Sequence, residues 1–305
     1  MDVILAIAAV MLVGFFLRRS GAVGEDAAAA VSRICADVLV PAMILRSMLM
    51  ELTAEILRQS AWLIAGSAAL LAMSWLAGRL LVRLYRSPPE DSLIHRYCVL
   101  FSNFGLVGLP IAEGLYGQQG VFYFTTAILL HRVFFNSYGI LMMRGKTEGA
   151  GLSWRSFVNM PLAAVALAIV LDVLHIGLWG PVDDFVSLLA KSNAPMGLLA
   201  VGLNLGGAKV SDGVRDFRVW ITIFVRLLAL PLLTLAAVRN MPVDILLKQV
   251  TILNAALPCP AMASVLARRY NRNAALGSEL VLLSTVFSIV TIPVILKLSE
   301  SILLL

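Results

Sequence analysis

Asn103-Phe-Gly-Leu-Val-Gly-Leu-Pro110 is the stretch on which the fold turns. It lies inside an apolar segment from about Tyr97 to Tyr116, long enough to cross a bilayer as a helix. A straight helix has no use for these residues. Pro110 has no N–H, and its ring clashes with the carbonyl four residues back. Gly105 and Gly108 remove the side chains that would stiffen the turn. A second apolar segment is broken in the same manner by Asn254-Ala-Ala-Leu-Pro-Cys-Pro260. Two broken spans at matching places in two halves of a chain are the pattern of a site near the bilayer midplane.

The rest of the composition agrees with a chain inside a membrane. Of 305 residues, 60% are hydrophobic and only 14% charged, against about a quarter charged in a soluble domain. At about 20 residues per span, there is room for about ten spans and no separate soluble domain. The net charge of +6 does not indicate a nucleic-acid partner, because the charges are not clustered on a polar domain but sit in short loops between apolar segments. The partners this pattern implies are the lipid bilayer and a small solute. Cys35, Cys98 and Cys259 lie in apolar stretches without metal-ligand spacing, so neither a disulfide framework nor a metal or other cofactor is expected.

The first span covers about Val3 to Leu17. Asp2 precedes it and Arg18-Arg19 follow it, the reverse of a secretory leader. The others run at about Ile34–Met50, Ala61–Leu81, Tyr97–Tyr116, Val121–Met143, Val158–Leu178, Phe185–Gly207, Val219–Val238, Ile245–Ala267 and Ala275–Leu296. Sixteen Lys and Arg fall in the loops after odd-numbered spans and five on the opposite side, with Arg132, Lys191 and Arg226 inside spans. That bias places the odd-to-even loops in the cytoplasm and both termini outside.

Residues 1–143 and 158–305 then form two five-span halves joined by a short cytoplasmic linker, 144–157. Five is odd, so the second half enters the membrane the other way up. Pro41 and Asn103 are 62 residues apart, and Pro195 and Asn254 are 59 apart. The match supports an inverted repeat in an all-α membrane fold of about ten helices.

Each break offers chemistry. Proline suits the first position of a helix, so Pro110 and Pro258 or Pro260 are expected to open the second half of their spans. A helix start carries unpaired N–H groups and about half a positive charge, which suits a carboxylate. The amides of Asn103 and Asn254 would add hydrogen bonds. Ionisable residues inside spans usually face a cavity or a partner. Arg132 and Arg226 are candidates to balance an anion, His131 to carry a coupled proton. Asn136 sits one turn beyond Arg132 on nearly the same face. Asp37, Glu113, Asp172 and Lys191 lie in spans as well, and Ser284, Thr285 and Ser288 offer hydroxyls in the last. A plainer reading stays open, in which the breaks are kinks and the arginines lock helices through Asp37, Glu113 or a carbonyl.

The Asn103–Pro110 break, Pro195 followed by Gly-Leu-Leu-Ala-Val-Gly202, Asn254-Ala-Ala-Leu-Pro258 and the ending Leu283-Ser-Thr-Val-Phe-Ser-Ile-Val-Thr-Ile-Pro293 resemble the auxin efflux carrier family. The resemblance extends over essentially the whole chain and brings in bacterial members described as malonate transporters. It implies two inverted five-helix repeats, with broken helices four and nine crossing at their prolines. It implies a small organic anion at that crossing, a mono- or dicarboxylate, carried by an elevator-like movement. A homodimer and a bacterial inner-membrane location are further expectations. The long central loop of plant members is reduced here to Arg144–Arg155. The rivals are a membrane-embedded enzyme and a passive anion channel. The chain has neither His-Glu-x-x-His nor Gly-x-Ser-x-Gly, and its three histidines are dispersed.

Overall fold

A computed structural model describes residues 2–49, 53–86, 88–144, 160–207 and 215–304. Every regular element among these residues is helical. Span one is α1, Asp2–Arg19, closed by Arg18 and Arg19 in the last turn, where the helix dipole favours cations. Span two is α2, Glu25–Ile34, a π-turn at Cys35–Leu39, and α3, Val40–Met48. Span three is the long α4, Ala54–Leu84. Span four begins as α5, Pro89–Leu100, and stops where Phe101 turns extended (φ −112°, ψ 157°). A π-turn at Phe104–Gly108 restarts it and leads into α6, Leu109–Phe134. Gly117 interrupts α6 at φ 63°, ψ −156°, which turns the chain from span four into span five. Only glycine takes that conformation without strain. A π-turn at Phe135–Gly139 and α7, Ile140–Arg144, complete span five.

The second half follows the same plan: α8, Met160–Val173; α9, Gly180–Gly207; α10, Phe217–Phe224, a π-turn at Val225–Ala229 and α11, Leu230–Val238. Span nine is α12, Ile245–Ala256, an extended stretch at 257–260, and α13, Met262–Arg269. Span ten is α14, Ala274–Leu303. Six helical runs among the described residues are long and apolar enough to cross a membrane, one of them, Pro89–Arg144, covering spans four and five. Spans four and nine are both interrupted, at the positions read from the sequence.

Two corrections concern the prolines. Pro110 does not open the second half of span four; helical structure resumes at Phe104, and Pro110 is the second residue of α6. Pro258 and Pro260 lie in the extended stretch, and α13 begins at Met262. The reason is a device the sequence pattern did not disclose. Pro41, Pro110 and Pro231 each sit two residues after a π-turn. The residue four back from each, Asp37, Leu106 and Leu227, is the middle residue of that turn. This is the carbonyl that a proline ring strikes in an α-helix. The wider π-turn moves it aside, so the span continues instead of ending.

Packing divides the chain into two compact units, Met1–Ala61, Gly105–Thr126 and Trp154–Gly207 in one, and Trp62–Phe104, Ala127–Ser153 and Ala208–Leu305 in the other. Each unit takes corresponding spans from both sequence halves. In the first unit α1 lies along α9. A Cβ on Gly202 would stand 2.0 Å from the Met11 carbonyl oxygen, and one on Gly206 2.5 Å from that of Phe15. Arg46 adds an ion pair to Asp183 at 3.4 Å and donates to Ser187 Oγ at 3.1 Å. In the second unit Ile94, Tyr97, Cys98 and Phe101 of span four pack in one apolar cluster with Leu227, Ala263 and Leu280.

The orientation expected from the charge bias would put the turn at Gly117 outside. Gln118 beside it is exposed. In a cysteine-free protein, Gln118→Cys should react with an impermeant thiol reagent on intact cells. Gly149→Cys, in the linker outside the described residues, should react only once the inner face is opened. The opposite pattern would reverse the orientation.

Candidate functional site

The second unit holds the extended stretches of both interruptions, 101–103 and 257–260, and the backbone joins them. Asn103 N–H donates to the Pro258 carbonyl at 3.0 Å. Extended backbone inside a membrane must have its polar groups satisfied. The residues of the second break keep that demand small, since Pro258 and Pro260 have no N–H. The Cys259 N–H donates to Ser284 Oγ at 3.0 Å, and the Pro260 carbonyl accepts from Ala263 N–H at 2.9 Å. The Ser284 hydroxyl, one of those the last span offers, therefore braces the break.

Arg226 braces it from another side. This side chain is 2% exposed. Its Nε donates to the Leu257 carbonyl at 2.8 Å, Nη1 to Val99 at 3.2 Å and Nη2 to Asn254 at 3.3 Å. These carbonyls belong to the C-terminal ends of α5 and α12, where helices leave carbonyls unpaired.

Asn254 is 1% exposed, and neither the oxygen nor the nitrogen of its side-chain amide has a partner. A buried amide normally has its hydrogen bonds made, and no described residue supplies them to this one. Asn103 is also buried. The hydroxyl of Ser102 beside it is buried and unpartnered, as is that of Tyr97 one turn earlier. Sequence reasoning missed both; Ser102 was visible as the neighbour of Asn103 in the break.

Arg132 is 6% exposed, and its Nη2 has no partner. Its guanidinium carbon lies 5.3 Å from the centre of the Phe104 ring, within cation–π range. Phe104 follows Asn103 directly, which brings Arg132 to the first break. Phe101 and Phe104 both pack on Phe135 from span five, with ring centres at 5.3 and 5.7 Å. His131 Nδ1 is hydrogen-bonded to Ser67 Oγ at 2.8 Å, with both residues buried. Asn136 is turned back on its own helix, donating to the Arg132 carbonyl at 3.0 Å. Of the other residues singled out, Gly105, Gly108 and Pro110 belong to the first unit. There Pro110 packs against Gly197, and a Cβ on Gly105 would meet nothing within 4 Å. Asp37 and Lys191 are exposed.

What the second unit assembles is thus the extended stretches of both breaks with a fixed backbone, one unpartnered amide, and a guanidinium stacked on Phe104 with its Nη2 unpartnered. Neutral and cationic hydrogen-bond donors in a buried setting suit an anion.

Comparison with known proteins places this geometry. A protein from Methanothermobacter thermautotrophicus described as an uncharacterized transporter is 26% identical over 304 residues, covering 96% of each chain. The family described as membrane transport protein matches twice, over residues 1–153 and again over 149–296, one match for each half of the repeat. The chain is a multi-pass membrane protein and belongs to this membrane transport family, the auxin efflux carriers.

Proposed function

We propose that the protein is a secondary carrier of small organic anions, mono- or dicarboxylates of the size of malonate. The observation that carries this reading is Asn254, an amide 1% exposed with both ends unpartnered, four residues before the Pro258 crossing. Asn103 and Asn254 bind one carboxylate at the breaks, with Pro258 and Pro260 shaping the second. Arg132 meets the other charge of a dicarboxylate. An intramembrane arginine is costly unless paired, and no ion pair among the described residues involves Arg132. His131 is the candidate for a coupled proton. Movement of one compact unit against the other, elevator-like, would expose the site to each side in turn. A homodimer in a bacterial inner membrane is the assembly we propose for it.

The test is binding followed by transport. Malonate should raise the melting temperature of purified protein, since a ligand stabilises what it binds. It should also drive saturable counterflow in liposomes, emerging chemically unchanged; non-saturable flux would indicate a channel, and turnover an enzyme. The monoamide of malonate has nearly the same shape and one charge fewer. Arg132→Gln should weaken malonate by about 10-fold or more and its monoamide little. Equal losses for the two would assign Arg132 to structure.

A further inference from the structure

We infer that Arg226 is a tethered cation occupying the place where a carrier of this kind would hold a coupling Na⁺, so that substrate movement does not depend on Na⁺. The inference starts from what Arg226 touches. Its Nε, Nη1 and Nη2 each donate to a main-chain carbonyl, that of Val99 at the end of α5 and those of Asn254 and Leu257 at the end of α12. Unwound carbonyls and the C-terminal ends of half-helices are the ligands that broken-helix transporters offer to Na⁺. Here they converge on a guanidinium instead. Their three oxygens come from both breaks, so one cation fixes the two interrupted spans to each other.

The charges close as well. Each helix C-terminus carries about half a negative charge. Two of them together match one guanidinium. No ion pair among the described residues involves Arg226, and none is required for its neutrality. The cation is therefore used up by the fold. It is a positioning residue, holding the Asn254 carbonyl and with it the segment that presents the Asn254 amide. In a sodium-coupled carrier with broken spans, carbonyls of this kind take up an ion from solution. A covalently attached cation makes the junction permanent and removes the reason for Na⁺ to bind.

The inference rests on the carrier reading only in its transport arm, and the test has a second arm that does not. In the first arm, wild-type protein in liposomes is assayed for labelled malonate counterflow with Na⁺, K⁺ or choline as the only added cation. The initial rates should agree within about twofold. In the second arm, melting temperature is measured in the same salts and with low millimolar guanidinium. Wild type should respond to none of them specifically. Arg226→Ala should melt lower, lose at least about 10-fold in counterflow, and regain part of both with guanidinium or Na⁺. Arg226→Lys keeps the charge on a shorter reach of donors and should fold, with reduced but Na⁺-independent counterflow. A wild-type requirement for Na⁺ in either arm overturns the inference. So does an Arg226→Ala protein with wild-type melting, or one that neither cation restores. If Arg226→Ala does not fold, the wild-type arms and Arg226→Lys still decide. Absence of malonate counterflow in wild type would count against the carrier reading, while the melting arm continues to judge Arg226.

Discussion

Asn254→Ala should weaken ligand binding by about 10- to 150-fold while leaving the unliganded protein as stable as wild type. The two halves of that statement come from the same fact. In the unliganded protein both polar ends of the Asn254 amide are buried without partners. An orphaned buried group costs about 1–3 kcal/mol, so removing the amide relieves a penalty that offsets the packing lost with it. The anion, by contrast, loses a hydrogen bond made to a charge, worth about 1.5–3 kcal/mol, or about 10- to 150-fold in affinity. The melting curve of Asn254→Ala should therefore overlay that of wild type without ligand and need about 10- to 150-fold more malonate for the same shift. An asparagine that merely packed helices would give the reverse, a lower melting temperature and retained transport. Asn103→Ala should also cut binding, with its backbone bond to Pro258 left in place.

The largest effect on stability should come from Gly202→Ala. Its new methyl group would stand 2.0 Å from the Met11 carbonyl oxygen and 2.9 Å from Phe15 N. Both are backbone atoms, so no side chain can swing away, and α1 and α9 must separate. Overpacking a core costs about 1–3 kcal/mol when side chains absorb it, and here the backbone must. A loss of about 3 kcal/mol or more is expected, read as a lower melting temperature and a poorer yield of folded protein in detergent. Gly105→Ala is the control. A Cβ there meets nothing within 4 Å, and alanine is the better helix residue. Gly105→Ala should melt no lower than wild type. Equal melting of Gly202→Ala and wild type would mean that the close approach of α1 to α9 is not what holds the first unit together.

Much of the fold was legible because a membrane simplifies the code. Apolar runs mark spans, basic residues mark their ends, and only a few residues interrupt them. Asn103, Gly105 and Pro110, with Asn254, Pro258 and Pro260, located both breaks. What they could not disclose was the form of each break. Pro110 looked like a helix start because proline favours that position. The π-turn at Phe104–Gly108 removes the clash by another route and leaves Pro110 inside the helix. The arginines show the same limit. Arg132 and Arg226 are alike in sequence, each a lone cation in an apolar span. They differ only in what other parts of the chain bring to them: three carbonyls from two helix ends for Arg226, an aromatic ring and an unpartnered Nη2 for Arg132. Asn136 shares a helical face with Arg132, yet its amide is spent on the Arg132 carbonyl. The Gly202-x-x-x-Gly206 spacing was readable as a contact between helices, although its partner α1 was not.

The π-turns also change how the spans should be counted. One extra residue per turn of helix advances everything downstream by about 100°. A helical wheel drawn straight through Cys35–Leu39, Phe135–Gly139 or Val225–Ala229 therefore assigns the wrong face to the residues beyond. A new wheel must start at Val40, Ile140 or Leu230. The same phase shift makes the turn at Phe135–Gly139 a place where one residue can be lost without breaking the span, whereas the turns before Pro41, Pro110 and Pro231 must keep theirs to spare the proline ring its clash. Deleting a residue from Phe135–Gly139, which no proline follows, would leave a helix of nearly the same length with Ile140–Arg144 rotated away from its present neighbours while the near half stayed where it is.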